Sequence, residues 1–561
     1  MFCYHCQEAK KNIVCDVTGI CGKKEDVSSL QDLLMFSIKG LAFFAHKSLE
    51  FDIVERKTDQ FTAKALFSMV TNVNFDQAAF VELIAETIQR RNSLRKLFIT
   101  AYRQKYNVEF SEAIPEEAQW QFETANEAAF VEKGASVVIN KEKINDEDLH
   151  GLQECLLYAI KGLASLIVHA HALNAEDQVL YHFIYQALSF TLQTDNTLES
   201  ALDMNLKCGE LSITAMGLLD QANVAHFGQQ QVTTVYKDVW EKPGILFTGH
   251  DMQDIKELLE QTAGTGVDVY THGEAITAHA YSSFKKFFNL AGNYGNAWQD
   301  QRTQFSKFKG PILVSTNSIQ QQKKDYKEKI YTTGMVGWPE IIHIADRKPG
   351  QAKDFSLLIE QAKQCEPPTS LLSEDAKGKV TVGYGHHELN KVLPAISKAI
   401  KENKIERIIV LAGGDGRHKE RRYYTQIAEA LPETTLILTA GDIKYRFHDQ
   451  DFGSINNIPR LLDAGQSNDF YSIIVFLQAL QKSLGVADFN DLLVSFNIAW
   501  YEQKTILIML ALFSLGVKNL RFGPTLPPFF NSGILQLLDD RFSLKGIDTV
   551  ENDIAAMLEG K

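Results

Sequence analysis

The chain has 561 residues, 45% of them hydrophobic, and its 57 basic against 70 acidic side chains give a formal net charge of −13. At roughly 150 residues per domain that length calls for about three or four domains, and the apolar fraction excludes a disordered or fibrous protein. The acidic balance excludes a general nucleic-acid binder, which needs a basic face to neutralise phosphates.

The N-terminus, MFCYHCQEAKK, has no basic n-region and no apolar h-region, so no secretory signal is read and the protein is expected in the cytoplasm. Four of the seven cysteines, Cys3, Cys6, Cys15 and Cys21, follow the spacing C-x2-C-x8-C-x5-C. Thiolates this close along a chain can converge on one centre, and soft sulfur ligands select zinc or an iron–sulfur cluster. The uneven spacing is less like the paired C-x2-C of zinc ribbons, but a four-thiolate zinc site stays open. A disulfide pair is disfavoured in a reducing compartment. His5 could ligate metal, but it is expected to point away, since four thiolates complete a tetrahedral shell. Cys155, Cys208 and Cys365 lack clustered partners and read as small core or surface residues.

From about residue 30 to residue 222 the pattern is helical: residues 30–47, 80–97, 152–173 and 179–192 repeat apolar positions every three or four residues. β-branched runs are rare there, which predicts stacked helices. After about residue 224 come short apolar runs at 244–249 (GILFTG), 266–270 (GVDVY), 311–316 (PILVST) and 341–345 (IIHIA), separated by polar helical stretches such as 251–262. That alternation predicts parallel α/β architecture. Residues 364–375, with two prolines, read as a linker. Strand candidates at 380–384, 407–412, 435–439 and 492–499, with helices such as 423–431 and 504–515 between them, predict a second α/β unit. The expected fold class is multidomain: an N-terminal all-α helical-bundle domain (1–224), then two α/β, Rossmann-like, mainly parallel-sheet domains (225–370 and 371–561). The longest apolar stretch, 505–517, is shorter than the roughly 20 residues of a membrane span and follows the charged Glu502 and Lys504. It predicts a buried helix, and no membrane partner is expected. The run 413–416 lacks the G-x-G-x-x-G spacing of a dinucleotide fingerprint. Arg417, Lys419, Arg421 and Arg422 beside it read as a solvated basic face rather than an anion site.

Across its whole length, and in the same order, the sequence resembles the hybrid-cluster proteins, also called prismane proteins or hydroxylamine reductases. The likeness is carried by MFCYHCQEAKKNIVCDVTGICGK and LQDLLMFSIKGLAFFA, by GHDM (249–252), GEAITAHAY (273–281) and GNYGNAWQDQ (292–301), and by IYTTGMVGWP, KYRFHDQDFGSI, RLLDAGQSNDFYS, WYEQK and LRFGPTLPPF. The resemblance implies one helical and two α/β domains, and a [4Fe–4S] cluster on Cys3, Cys6, Cys15 and Cys21. It also implies reduction of hydroxylamine to ammonia, with nitric oxide chemistry proposed, at an iron–sulfur–oxygen hybrid cluster between domains.

In that family the hybrid cluster is held by one histidine, two glutamates and four cysteines, with a lysine nearby. His250, Glu274 and Glu502 stand at the non-sulfur positions, with Lys504 two residues on. The four cysteine positions are occupied by Ser318, Gly414, Asp442 and Ser467. Serine hydroxyls are poor ligands to such clusters and glycine offers none, so a normal hybrid cluster is not expected. The remaining set, His250, Glu274, Glu502 and Asp442, suits non-haem iron, manganese or zinc with open positions for water or substrate. The catalytic candidates are Lys504, Glu502 and His250, with Lys504 as proton donor or anion stabiliser. A structural role is the competing reading: His250 or Glu274 could cap a helix, and Glu502 and Lys504 could simply pair.

The expected function is an oxidoreductase that passes electrons from an external donor protein through the N-terminal cluster to this altered site. Its substrate would be a small molecule such as hydroxylamine, nitric oxide or a peroxide. The alternative is a non-catalytic redox sensor or electron carrier that has lost the hybrid cluster, and zinc hydrolysis is a third option.

Overall fold

The computed structural model describes residues 1, 3–139, 146–316, 318–348, 350–372 and 378–561. The helical periodicity becomes α1 (Glu25–Ser48), α2 (Arg56–Ser68), α3 (Gln77–Tyr106), α4 (Glu116–Gln119), α5 (Glu127–Ile139), α6 (Glu147–Ala172), α7 (Gln178–Phe190) and α8 (Leu198–Phe227). Side-chain oxygens meet the first free amides where these helices begin: Asp76 for α3, Asp146 for α6, Asp177 for α7 and Thr197 for α8. The helical runs Glu25–Phe51 and Glu147–Ala172 are long and apolar enough to cross a membrane, but 83% of each apolar window is buried inside the chain. That burial is what central helices of a bundle show.

The first α/β unit comprises β1 (Thr233–Tyr236), β2 (Gly244–Gly249), α9 (Met252–Thr262), β3 (Asp268–His272), β4 (Leu290–Asn293), α10 (Gln301–Lys307), β5 (Ile312–Ser315), β6 (Ile330–Thr333), β7 (Ile342–Ile344) and α11 (Ser356–Lys363). The second begins with β8 (Lys379–Val382), α12 (His386–Lys401), β9 (Arg407–Gly413), α13 (Arg422–Ala430), β10 (Thr435–Thr439), β11 (Ser454–Ile455) and β12 (Ile458–Pro459). It ends with β13 (Leu461–Asp463), α14 (Phe470–Leu484), β14 (Val494–Ala499), α15 (Gln503–Ser514), β15 (Arg521–Gly523), α16 (Ser532–Phe542) and α17 (Val550–Glu559).

One sheet runs β4-β3-β2-β5-β6-β7 and the other β13-β10-β9-β14-β15, with every pairing parallel. Counted from the first strand of each, these orders are 3-2-1-4-5-6 and 3-2-1-4-5. Both are doubly wound, and ligands bind such sheets beyond the strand C-termini where the winding reverses. The reversals fall between β2 and β5 and between β9 and β14. β2, β3, β9 and β10 are buried at every position, as strands covered on both faces must be.

The run at 380–384 is a strand, but it lies outside the second parallel sheet. β8 pairs antiparallel with β1, so the start of one α/β unit is stitched to the start of the other. Its exposed–buried alternation fits a ribbon with one wet face. Of the expected linker, Ser373, Glu374 and Asp375 lie outside the described residues.

The apolar stretch 505–517 becomes most of α15, buried from Gln503 to Phe513. It belongs in sequence to the second α/β unit but packs against α6 and α8 of the bundle. Two glycines make room for it. A Cβ on Gly209 would stand 2.1 Å from Leu510 O, and one on Gly162 would stand 2.9 Å from Leu507 Cδ1. Gly209→Ala should therefore destabilise the fold by roughly 1–3 kcal/mol. Alanine's helix propensity pulls the other way by about 1 kcal/mol, so a raised urea midpoint would refute this close approach.

Candidate metal centres

Cys3 and Cys15 exchange both backbone hydrogen bonds: Cys3 N donates to Cys15 O at 3.2 Å and Cys15 N to Cys3 O at 2.8 Å. A tight turn from Gly19 to Lys23, closed by Gly19 N on Lys23 O at 2.8 Å, brings Cys21 round to them. A Cβ on Gly19 would stand 2.9 Å from Cys21 Sγ, so the glycine leaves space for the thiol. All four cysteines line one small cavity with His5, Glu8, Gly19, Lys23, Thr71 and Asn72. Burial pushes the Cys6 and Cys21 thiols up, and charge on neighbouring cysteines adds to it. Loading the cavity with metal must therefore displace protons. The His5 ring sits edge-on to Tyr158, with centroids 6.0 Å apart, while still bordering the cavity. Among the described residues no three His, Cys, Asp or Glu side chains close onto a single-ion site. Four thiols around one shared space are a ligand set that zinc and a polynuclear iron–sulfur cluster can both use.

This loop is clamped to the second α/β unit. The buried Glu8 carboxylate accepts from Arg417 N at 2.5 Å, Nε at 2.9 Å and Nη2 at 2.5 Å. Gln7 N donates to Tyr501 O at 2.9 Å. The expected solvated basic face is half wrong. Lys419 and Arg422 are exposed, but Arg421 is fully buried and donates to Gly414 O (2.9 Å), Gln7 Oε1 (3.0 Å) and Trp500 O (2.6 Å). Carbonyls of three separate segments take hydrogens of its two Nη atoms, while Nε is buried without a partner, a role that the local charge pattern does not announce.

The second set of candidates gathers at the C-terminal ends of the parallel strands. His250 follows β2, Glu274 follows β3, Asp442 follows β10, and Glu502 and Lys504 follow β14. Asp251, not His250, caps α9, accepting from Gln253 N and Asp254 N at 3.0 Å each. His250 Nδ1 lies 2.6 Å from Thr316 O, which makes Nδ1 the hydrogen-bearing nitrogen, and Nε2 stands 3.1 Å from Glu274 Oε2. A ring tied by Nδ1–H to a carbonyl, with Nε2 turned to the site, is set as metal-binding histidines are.

Glu274 does not cap the turn it opens but reaches across to another segment. Its oxygens accept from Ser467 N at 2.8 Å and Ser467 Oγ at 2.6 Å, so the serine at a cysteine position holds a neighbouring acid. Burial would raise the Glu274 pKa, but His250, Lys504 and Ser467 together hold it well below the usual carboxylate range. Glu502 starts α15, with Oε2 accepting from Lys504 N at 3.1 Å, and burial raises its carboxyl. Asp442 is raised much further by burial and then by Glu274 and Asp415, and its Oδ1 is buried without a hydrogen-bond partner. The Lys504 side chain makes no ion pair within 4.0 Å among the described residues. At the other cysteine positions, a Cβ on Gly414 would stand 2.9 Å from Tyr501 Cβ, and Ser318 O accepts from Gln301 Nε2 at 2.7 Å. Asn317, beside Ser318, lies outside the described residues.

One residue at this site escaped the sequence reading. His169, on α6, places its ring centroid 6.3 Å from that of His250, and its buried Nε2 has no hydrogen-bond partner. Burial, then Lys504 and His250, push its pKa well below the ordinary value. A lone histidine on an apolar helix carries no local signal of such a place. His169, Asn223, His250, Gln466 and Asn468 border a cavity of about 10 Å³, on the order of one water-sized molecule.

A helical bundle joined to two doubly wound sheets, with a thiol-lined cavity at its N-terminus, defines the class as an iron–sulfur protein of the prismane type. The Prismane/CO dehydrogenase family model matches residues 1–555, and the chain belongs to that family. It is 46% identical over 563 aligned residues to a hydroxylamine reductase of Halothermothrix orenii and 44% identical to one of Nitratidesulfovibrio vulgaris, covering all of both chains each time. Among solved structures, carbon monoxide dehydrogenase IV from Carboxydothermus hydrogenoformans matches with a TM-score of 0.54 at 14% identity, over 97% of this chain and 89% of that one. That likeness shows a shared fold. Family membership implies iron–sulfur clusters, and the curated relatives support an oxidoreductase function.

Proposed function

We propose that this chain is an iron–sulfur oxidoreductase of the hydroxylamine-reductase type with a sulfur-free second centre. In this reading Cys3, Cys6, Cys15 and Cys21 hold a [4Fe–4S] cluster. His250, Glu274, Glu502 and Asp442 would hold a non-haem iron, manganese or zinc ion in place of the hybrid cluster by drawing together on binding it, since among the described residues no three of them meet at a single-ion site as they stand. The chain works in the cytoplasm, away from membrane and nucleic acid, and draws electrons from an external donor protein. When bound, the cluster supplies single electrons and the second ion a docking point for a nitrogen or oxygen atom.

The supporting observation is the four-thiol cavity joined directly to the second centre: Gln7 N–H donates to Tyr501 O, one residue before Glu502. The chain's own groups then divide the work. Thr316 O takes the Nδ1 hydrogen of His250, so Nε2, which faces Glu274, is the nitrogen that would bind metal once its own hydrogen is displaced. Lys504 supplies a proton or steadies a developing anion. The small polar cavity at His169 and Asn223 limits the substrate to a few atoms, as in hydroxylamine, nitric oxide or a peroxide.

Protein purified without oxygen should contain the iron and sulfide of the cluster plus one further metal equivalent, located by anomalous scattering at the iron, manganese and zinc edges. Glu274→Gln should lower that extra metal and hydroxylamine turnover about tenfold or more while leaving the cluster's EPR signal intact. Metal confined to the cluster, with no turnover, removes the second centre.

A non-catalytic redox sensor or electron carrier is the second reading. It is favoured by the way Glu274 is satisfied by His250 and by both Ser467 donors, so that the pocket needs no ion to balance it. A reducible cluster with no turnover, even after addition of Fe(II) or Mn(II), is its signature.

A further inference from the structure

Lys23 lies at the thiol cavity and is only 3% exposed. Its Nζ stands 3.6 Å from Cys3 Sγ and donates to Gln31 Oε1 at 2.7 Å. Gln31 is itself buried on α1, so the amine is held by the bundle rather than by solvent. The turn from Gly19 to Lys23 that delivers Cys21 to the cavity also delivers this side chain.

We propose that Lys23 is a positioning residue for electron transfer, a fixed positive charge and N–H donor on Cys3 Sγ that raises the reduction potential of the group held by the four cysteines. This rests on the reading that Cys3, Cys6, Cys15 and Cys21 hold an iron–sulfur cluster. Reduction adds one electron from the external donor, and so one negative charge, to that group. A buried cation at hydrogen-bond distance from a ligand sulfur stabilises the reduced state more than the oxidised one. A lysine costs free energy to bury, and Gln31 and the thiolate are the groups that offset it. Lys23 thus makes the N-terminal centre an easier electron acceptor than the same four sulfurs would be alone.

The test is an EPR-monitored dithionite titration of full-length protein purified without oxygen, with iron and sulfide assayed in parallel. Lys23→Met should shift the oxidised-to-reduced ratio at a fixed potential at least tenfold toward oxidised, a fall in midpoint of about 59 mV for one electron. Lys23→Arg, which keeps the charge, should recover at least half of that shift. Should Lys23→Met lose its cluster, Gln31→Glu sets a carboxylate against the ammonium and should lower the midpoint in the same direction. A Lys23→Met protein with full iron and an unchanged midpoint overturns the proposal, as does Lys23→Arg shifting as far as Lys23→Met. Wild-type protein without cluster iron and sulfide fails earlier, and overturns the four-thiolate reading itself.

Discussion

Asp254→Ala is expected to cost about 3–5 kcal/mol of folding stability, because it strands a buried ammonium. Asp254 is fully buried on α9, four residues after His250. Lys353 Nζ lies 3.0 Å from its Oδ1, Arg347 Nη2 donates to it at 2.5 Å, and the Ser315 hydroxyl donates to its other oxygen. Burial would raise this carboxyl, but Lys353 and Arg347 hold it below its ordinary value. With the carboxylate gone, Arg347 keeps Glu257 at 2.7 Å, while the hydrogen-bond and ion-pair partners left to the Lys353 side chain among the described residues are the Thr333 hydroxyl (2.8 Å) and a distant, half-exposed Asp346 at 3.8 Å. Urea unfolding at neutral pH measures the loss, and a change below about 1 kcal/mol would sink the argument. The double variant Asp254→Leu/Lys353→Met should regain most of the stability, since replacing both charges removes the desolvation penalty with the pair. The network reaches the second centre. Ser315 O accepts from His250 N at 3.2 Å, so the variant should also loosen the imidazole.

The same local rules explain which parts of the molecule could be read in advance. GILFTG, bounded by glycines, is β2 residue for residue, because a strand buried on both faces is one unbroken apolar run. The segments LAGN, IYTT, LLD and RFG became β4, β6, β13 and β15, each too short to display a period. For β8 the strand was legible and its partner was not, since pairing with β1 across more than a hundred residues leaves no local mark. At the site, His250, Glu274, Glu502 and Lys504 were legible as motif members, whereas their convergence follows from winding order, a property of the whole chain. Arg421 misled for a related reason. In one dimension it belongs to a basic run, and in three dimensions the chain wraps it in carbonyls.

His272 should make stability fall as the solution is acidified from neutrality. The ring is fully buried at the end of β3, between Thr248 Oγ1 at 3.0 Å from Nδ1 and Gln304 Oε1 at 3.1 Å from Nε2. Asn296 N also donates to Gln304 Oε1, which fixes that atom as the acceptor. Nε2 therefore carries the hydrogen, Nδ1 accepts from the threonine, and the ring is neutral. Burial pushes its pKa down to about 4, against about 6.5 in the unfolded chain. The contribution is fully present above pH 6.5. As pH falls from 6.5 toward 4 the unfolded chain takes up a proton that the folded chain refuses, and stability is lost by about 3 kcal/mol over that window. His272→Gln removes the titration while keeping a polar group within reach of Thr248 and Gln304. Its stability at pH 7.5 should be lower than that of the parent, but its decline to pH 5 should be shallower by about 2 kcal/mol. Parallel declines in urea unfolding, measured at both pH values, would mean that the imidazole is already charged in the fold and that the Thr248–His272–Gln304 tautomer is wrong.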